Sequence, residues 1–123
     1  GEGFKVVGFI PTGKGAHGLY FSRDSKWLYV SNRGEGTVSL IDPLTRKVST
    51  KWTIPGGGSP DIGGVSADGK VLWLSGRYNA EVYAFDTTDG HLLARIPVGK
   101  GPHGLCFYPQ PGRYSLGHTG NMR

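Results

Sequence analysis

Lys26-Trp27-Leu28-Tyr29-Val30-Ser31-Asn32 is a run of aromatic and branched residues entered from Phe21-Ser22-Arg23-Asp24-Ser25. Such a run, opened by turn formers, reads as a buried strand following a tight turn. The pattern returns as Val65-Ser66-Ala67-Asp68-Gly69-Lys70-Val71-Leu72-Trp73-Leu74-Ser75. Asp68 answers Asp24, Ser75 answers Ser31, Arg77 answers Arg33, Val82 answers Val38 and Asp86 answers Asp42, each 44 residues on. A third pass begins at Ile96-Pro97-Val98-Gly99, which matches Ile54-Pro55-Gly56-Gly57 at an offset of 42. Gly101-Pro102-His103-Gly104 then repeats Gly15-Ala16-His17-Gly18.

Working outward from this echo, each repeat divides into short strands separated by turns. Residues 4–11 read as a leading strand, closed by Pro11-Thr12-Gly13-Lys14-Gly15. Residues 18–22, 27–32, 37–42 and 48–54 read as the next four, joined by Arg23-Asp24-Ser25-Lys26, Arg33-Gly34-Glu35-Gly36 and Pro43-Leu44-Thr45-Arg46-Lys47. No segment of ten residues carries a 3.6-residue period free of Gly and Pro, which excludes helical repeats of similar length. A 42- to 44-residue period holding four short strands is the signature of a β-propeller blade.

The fold class expected is therefore all-β, a β-propeller with about two full four-stranded blades and partial blades at both ends. The expected division is one partial propeller domain over residues 1–123, with repeats at 12–54, 55–96 and a partial 97–118 behind the leading strand 4–11. Rings close with roughly 4–8 blades, so this chain forms an incomplete ring on its own. An open arc exposes apolar blade faces, and the expected partners are further blades of a longer parent chain, or other copies that complete the ring.

Composition narrows the remaining possibilities. The 22 glycines and 8 prolines sit between apolar runs, as turns do, and do not form a low-complexity tract. Fourteen Lys and Arg against nine Asp and Glu give a net charge of +5, scattered singly with no polybasic run. Nucleic-acid binding through this positive surface is a minor alternative. The single cysteine, Cys106, cannot form an internal disulfide; its apolar setting suggests a buried thiol acting as a small hydrophobe. No membrane span of about 20 apolar residues is present.

Tyr29-Val30-Ser31-Asn32 followed by Gly36-Thr37-Val38-Ser39-Leu40-Ile41-Asp42 resembles the YVTN-type bacterial β-propeller repeat. Gly101-Pro102-His103-Gly104 and Ala67-Asp68-Gly69-Lys70 are similar to other fixed points of that repeat. Gly76, where the repeat expects Asn, and Asp61, where it often has His, depart from it. The resemblance implies the C-terminal portion of a seven-bladed ring. It also implies a bacterial or archaeal protein acting outside the cytoplasm: periplasmic, secreted or at the cell surface. Most members have no assigned catalytic activity, while related propellers include haem-containing nitrite reductases, quinoprotein amine dehydrogenase subunits and streptogramin lyases. Fold alone does not choose between scaffold and enzyme.

Three residues occupy one repeat position: His17, Asp61 and His103. In a propeller, equivalent positions just before the innermost strands fall on an arc at one mouth of the central channel. Two imidazoles and a carboxylate there can ligate a divalent metal or move a proton. The alternative is that each side chain caps its own turn or hydrogen-bonds the adjacent blade. Arg33 and Arg77 are a second equivalent pair, able to clamp an anion at the channel mouth or to pair with Glu35, Glu81 or a neighbouring blade's aspartate. Trp27, Tyr29 and Trp73 are expected to pack between blades. Gly56-Gly57-Gly58 is no phosphate loop, because no helix and no Gly-Lys-Ser/Thr follows it. No motif specifies a cofactor, and no nucleophile elbow is present. The expectation is a non-enzymatic binding or scaffold module for a small-molecule or protein ligand. The alternative is a metal-dependent or acid–base enzyme, lyase or oxidoreductase-like, using His17, Asp61 and His103.

Overall fold

A computed structural model describes residues 3–106 of the chain. They hold eight strands: β1 (Ala16–Phe21), β2 (Leu28–Asn32), β3 (Thr37–Asp42), β4 (Lys47–Thr53), β5 (Pro60–Val65), β6 (Val71–Gly76), β7 (Glu81–Asp86) and β8 (Leu92–Pro97). They form two antiparallel four-stranded meanders in the orders β1-β2-β3-β4 and β5-β6-β7-β8. Neither sheet closes on itself, so the all-β, incomplete-propeller fold read from the repeat is the fold observed. No helix among the described residues is long and apolar enough to cross a membrane.

The turn that opens the repeat is built identically twice. Ser22 Oγ donates to Asp24 Oδ1 at 2.6 Å, and that oxygen accepts the Lys26 N–H at 3.0 Å. The Ser22 hydroxyl in turn accepts from Trp27 N–H at 3.1 Å. Ser66, Asp68, Lys70 and Val71 reproduce these bonds at 2.6, 2.9 and 3.1 Å. Local side-chain bonds of this kind fix the chain reversal without help from distant contacts.

The two sheets stack face to face. Tyr20, Tyr29, Val38, Leu40, Trp52 and Ile54 of the first meet Ile62, Val65, Leu72, Leu74, Tyr83 and Phe85 of the second in one buried cluster. Val38, Ile54, Leu72 and Phe85 are wholly removed from water, which stabilises by roughly 1.5–3 kcal/mol for each such side chain. Trp52 and Phe85 stack across the seam with ring centroids 6.2 Å apart, and Trp52 meets Tyr29 at 5.4 Å. Tyr29 and the partly buried Trp27 therefore serve inter-blade packing, as expected.

Polar contacts cross the seam in the same direction. The Tyr20 hydroxyl accepts the Gly63 N–H at 2.8 Å, and Ser31 Oγ donates to the Asp61 carbonyl at 2.7 Å. Gly18 permits this approach, since a Cβ there would sit 2.8 Å from the Asp61 carbonyl oxygen.

The departure of Gly76 from the repeat has a partner. In the first sheet Asn32 Nδ2 donates to Thr37 Oγ1 at 3.0 Å and to Ser39 Oγ at 2.9 Å. In the second sheet Gly76 replaces Asn32 and Tyr83 replaces Ser39. The Tyr83 ring fills the vacated volume, and its hydroxyl, 2.6 Å from where a Gly76 Cβ would be, accepts the Ser59 N–H at 3.2 Å. One blade solves the position with a polar network, the other with an aromatic ring.

Two expectations are corrected. Residues 4–11 are not a strand; they lie in neither sheet, and Phe4, Val6, Val7 and Phe9 are exposed. The blade that a leading outer strand would complete is neither of these two sheets, so segment 4–11 has no partner ladder among the described residues. Cys106 is exposed, not buried. Residues 98–106 form no strand to cover it, and the expected third-repeat strands over 107–118 lie outside the described residues.

Candidate functional site

The position shared by His17, Asp61 and His103 lies at one end of both sheets. His17 and Asp61 are each the second residue of the first strand of their sheet, not just before it as the repeat suggested. Both sit where pairing slips, between Ala16 and Leu19 against β2 and between Pro60 and Gly63 against β6. A bulge of this kind re-aims a side chain that regular pleating would send elsewhere. The adjoining loops are tied to the same end: Arg33 N–H donates to the Gly15 carbonyl at 3.0 Å, and Arg77 N–H to the Ser59 carbonyl at 3.2 Å.

These constraints bring all five candidate residues together around Asp61, which is fully buried. His17 Nδ1 lies 2.6 Å from Asp61 Oδ1. Arg33 Nη1, His103 Nε2 and Arg77 Nη1 lie 3.6, 3.9 and 4.0 Å from Asp61 Oδ2. The His17 and His103 rings meet edge to face with centroids 5.9 Å apart. Exposure rises outward from the carboxylate, with side-chain values of 22% for Arg33, 30% for His17, 40% for Arg77 and 55% for His103. Asp61 is thus the floor of the site, and the histidines and arginines form its wall and rim.

The floor is not satisfied by this wall. Both carboxylate oxygens of Asp61, together with His17 Nδ1 and Arg33 Nη1, are buried without a directed hydrogen bond. The short His17–Asp61 approach is a close pair of charges or dipoles, off the line that an N–H bond requires. Buried carboxylates are ordinarily saturated with donors, so this arrangement is unusual for a purely structural ion pair.

Sequence reasoning missed Tyr78. Its exposed ring lies beside both guanidiniums, 5.3 Å from Arg33 and 5.8 Å from Arg77. The available signal was adjacency to Arg77. The alternative partners expected for the arginines are otherwise engaged: Glu35 pairs with Lys51 at 2.7 Å, and Glu81 with Arg95 at 2.9 Å. A neighbouring blade's aspartate, Asp61, is what Arg33 meets.

Among known proteins, the YNCE-like beta-propeller family matches residues 1–111. The chain belongs to that family. It is 36% identical to Protein NirF of Pseudomonas aeruginosa over 85 residues, covering 68% of this chain and 21% of that protein. Among solved structures, a chain of Kuenenia stuttgartiensis hydrazine synthase superposes with a TM-score of 0.65 at 25% identity, over 84% of this chain and 28% of that one. Citrobacter koseri AztD superposes with a TM-score of 0.61 at 15% identity, over 76% of this chain and 27% of its own, a likeness of fold alone. The chain spans less than a third of each, so its two sheets belong to a ring that further blades complete.

Proposed function

We propose that this chain is part of a ligand-binding β-propeller whose site, at a mouth of the central channel, recognises a small molecule through an anionic group. The observation that carries the reading is the cluster around Asp61. Two guanidiniums and two imidazoles face one buried carboxylate and leave a positive balance at the rim. Arg33 and Arg77 stand 3.6 and 4.0 Å from Asp61, beyond hydrogen-bond reach, so their donors are uncommitted toward it. Guanidiniums with free forks suit carboxylate or oxoanion oxygens, and Tyr78 beside them offers an apolar face to the ligand's body. The role proposed is binding.

Titrating the chain with citrate, succinate and phosphate while following amide and guanidinium NMR signals tests the proposal. At least one anion is expected to shift Arg33, Arg77 and Tyr78 together. Arg77→Ala is expected to weaken that anion about tenfold or more, as loss of a charge-assisted contact does. Shifts absent with all three anions, or unchanged in Arg33→Ala and Arg77→Ala, would reduce the cluster to an ion-pair network that only holds loops together.

A further inference from the structure

We infer that His17 Nδ1, the Asp61 carboxylate and His103 Nε2 form a binding site for a late first-row divalent cation of the zinc or cobalt kind. The inference deepens the proposed function and rests on it for what fills the open coordination positions. The three ligand atoms lie within 4.8 Å of one another and come from three successive repeats. Three protein ligands are what metal sites with an open position use. Two imidazoles and one carboxylate suit zinc, cobalt, nickel or ferrous iron, whereas magnesium and calcium prefer all-oxygen sets.

The second, independent observation is the bonding state of the floor. Asp61 is fully buried, yet neither of its oxygens accepts a directed hydrogen bond, and neither does His17 Nδ1 make one. Neither group is committed to a hydrogen-bond partner, so both keep a lone pair to offer an ion. Tetrahedral bonds of about 2.0–2.1 Å hold ligand atoms roughly 3.3 Å apart. His17 Nδ1, at 2.6 Å from Oδ1, needs to withdraw by less than an ångström, and His103 Nε2, at 3.9 Å from Oδ2, to approach by a similar amount. His103 is half exposed and outside any strand, which leaves its ring free to do so. The main chain of Asp61 is meanwhile pinned by Ser31, so the carboxylate is held while the imidazoles adjust.

Arg33 and Arg77 set the character of the site. Their charges oppose a bare cation, but both are partly exposed and screened by water. The positive surplus is relieved when an anionic group spans the ion and the guanidiniums. An ion held by His17, Asp61 and His103 would supply Lewis-acid polarisation of a bound oxygen, and Arg33 and Arg77 would orient the rest of the ligand.

Cobalt(II) titration of the intact chain, read by visible absorption and calorimetry, separates this from the anion reading. One cobalt ion per chain is expected, with ligand-field bands that change when citrate is added. His103→Ala, a change at an exposed side chain that leaves the fold intact, is expected to weaken cobalt by more than the ~10–100-fold that outer-shell changes cost. Asp61→Asn should do the same, with circular dichroism verifying its fold, while Arg77→Ala should leave cobalt affinity unchanged or improved. Cobalt binding that is absent, or indifferent to His103→Ala, overturns the metal site. If citrate or phosphate still shifts Arg33 and Arg77 in that case, the anion reading stands without it.

Discussion

Glu35 shows how a single exposed side chain can be tuned in this fold. Its carboxylate accepts from Lys51 Nζ at 2.7 Å, Thr37 Oγ1 at 2.6 Å and the Lys14 N–H at 3.0 Å. Lys51 first, then Thr37 and Lys14, draw its pKa from the ordinary 4.5 down to about 2. Because the folded value lies below the unfolded one, its contribution is complete above about pH 4.5 and disappears as pH falls toward 2. An NMR titration of the Glu35 side chain should show a midpoint near 2, moving upward in Lys51→Ala. A midpoint unmoved by that substitution would contradict the hydrogen-bond origin of the shift. At this scale the sequence was partly legible. His17, Asp61 and His103 were found because a repeat superimposes them, and Arg33 and Arg77 for the same reason. Tyr78 was not, since its counterpart position holds Gly34 and no periodicity marks it.

At the scale of elements, the exchange of Asn32 and Ser39 for Gly76 and Tyr83 makes a coupled pair. Gly76→Asn drives a side chain into the Tyr83 ring and should destabilise by about 1–3 kcal/mol, as overpacking does. Tyr83→Ser alone opens a cavity and removes the acceptor of the Ser59 N–H. The double variant brings the Asn–Ser pair of the first sheet into the second, with Glu81 in the place of Thr37, so urea unfolding should give a coupling of at least about 1 kcal/mol in its favour. Strictly additive losses would show that the two positions do not share one volume. The strands of both sheets were readable because turn chemistry and β-branched runs act locally. Segment 4–11 misled because its apolar residues satisfy strand propensity while the neighbouring strand that would pair with it is missing from both sheets; β propensity is realised only through a partner. Cys106 misled for a related reason, because burial depends on covering elements and not on the apolar run around the residue.

For the whole molecule, the described sheets bury one seam and leave two outer blade faces. Leu19 and Phe21 are exposed on the first sheet and Ile96 on the second. Such surface calls for the further blades that the family's ring supplies. Sedimentation of this chain alone should therefore show mass rising with concentration, and Leu19→Lys with Phe21→Lys should suppress it. A chain that stays monomeric across a wide concentration range would contradict this account of the open faces. The seam also carries an orientation. Tyr20 and Ser31 of the leading sheet bind the main chain of the following one, and the following sheet has Gly64 where Tyr20 stands. Contacts of this kind are polar in the sense of a sentence that reads one way. Two copies joined through such unlike faces cannot be related by a two-fold axis, because neither face is its own complement. Any assembly they build is head-to-tail, and its order is limited only by whether the rotation between wedges returns to its start.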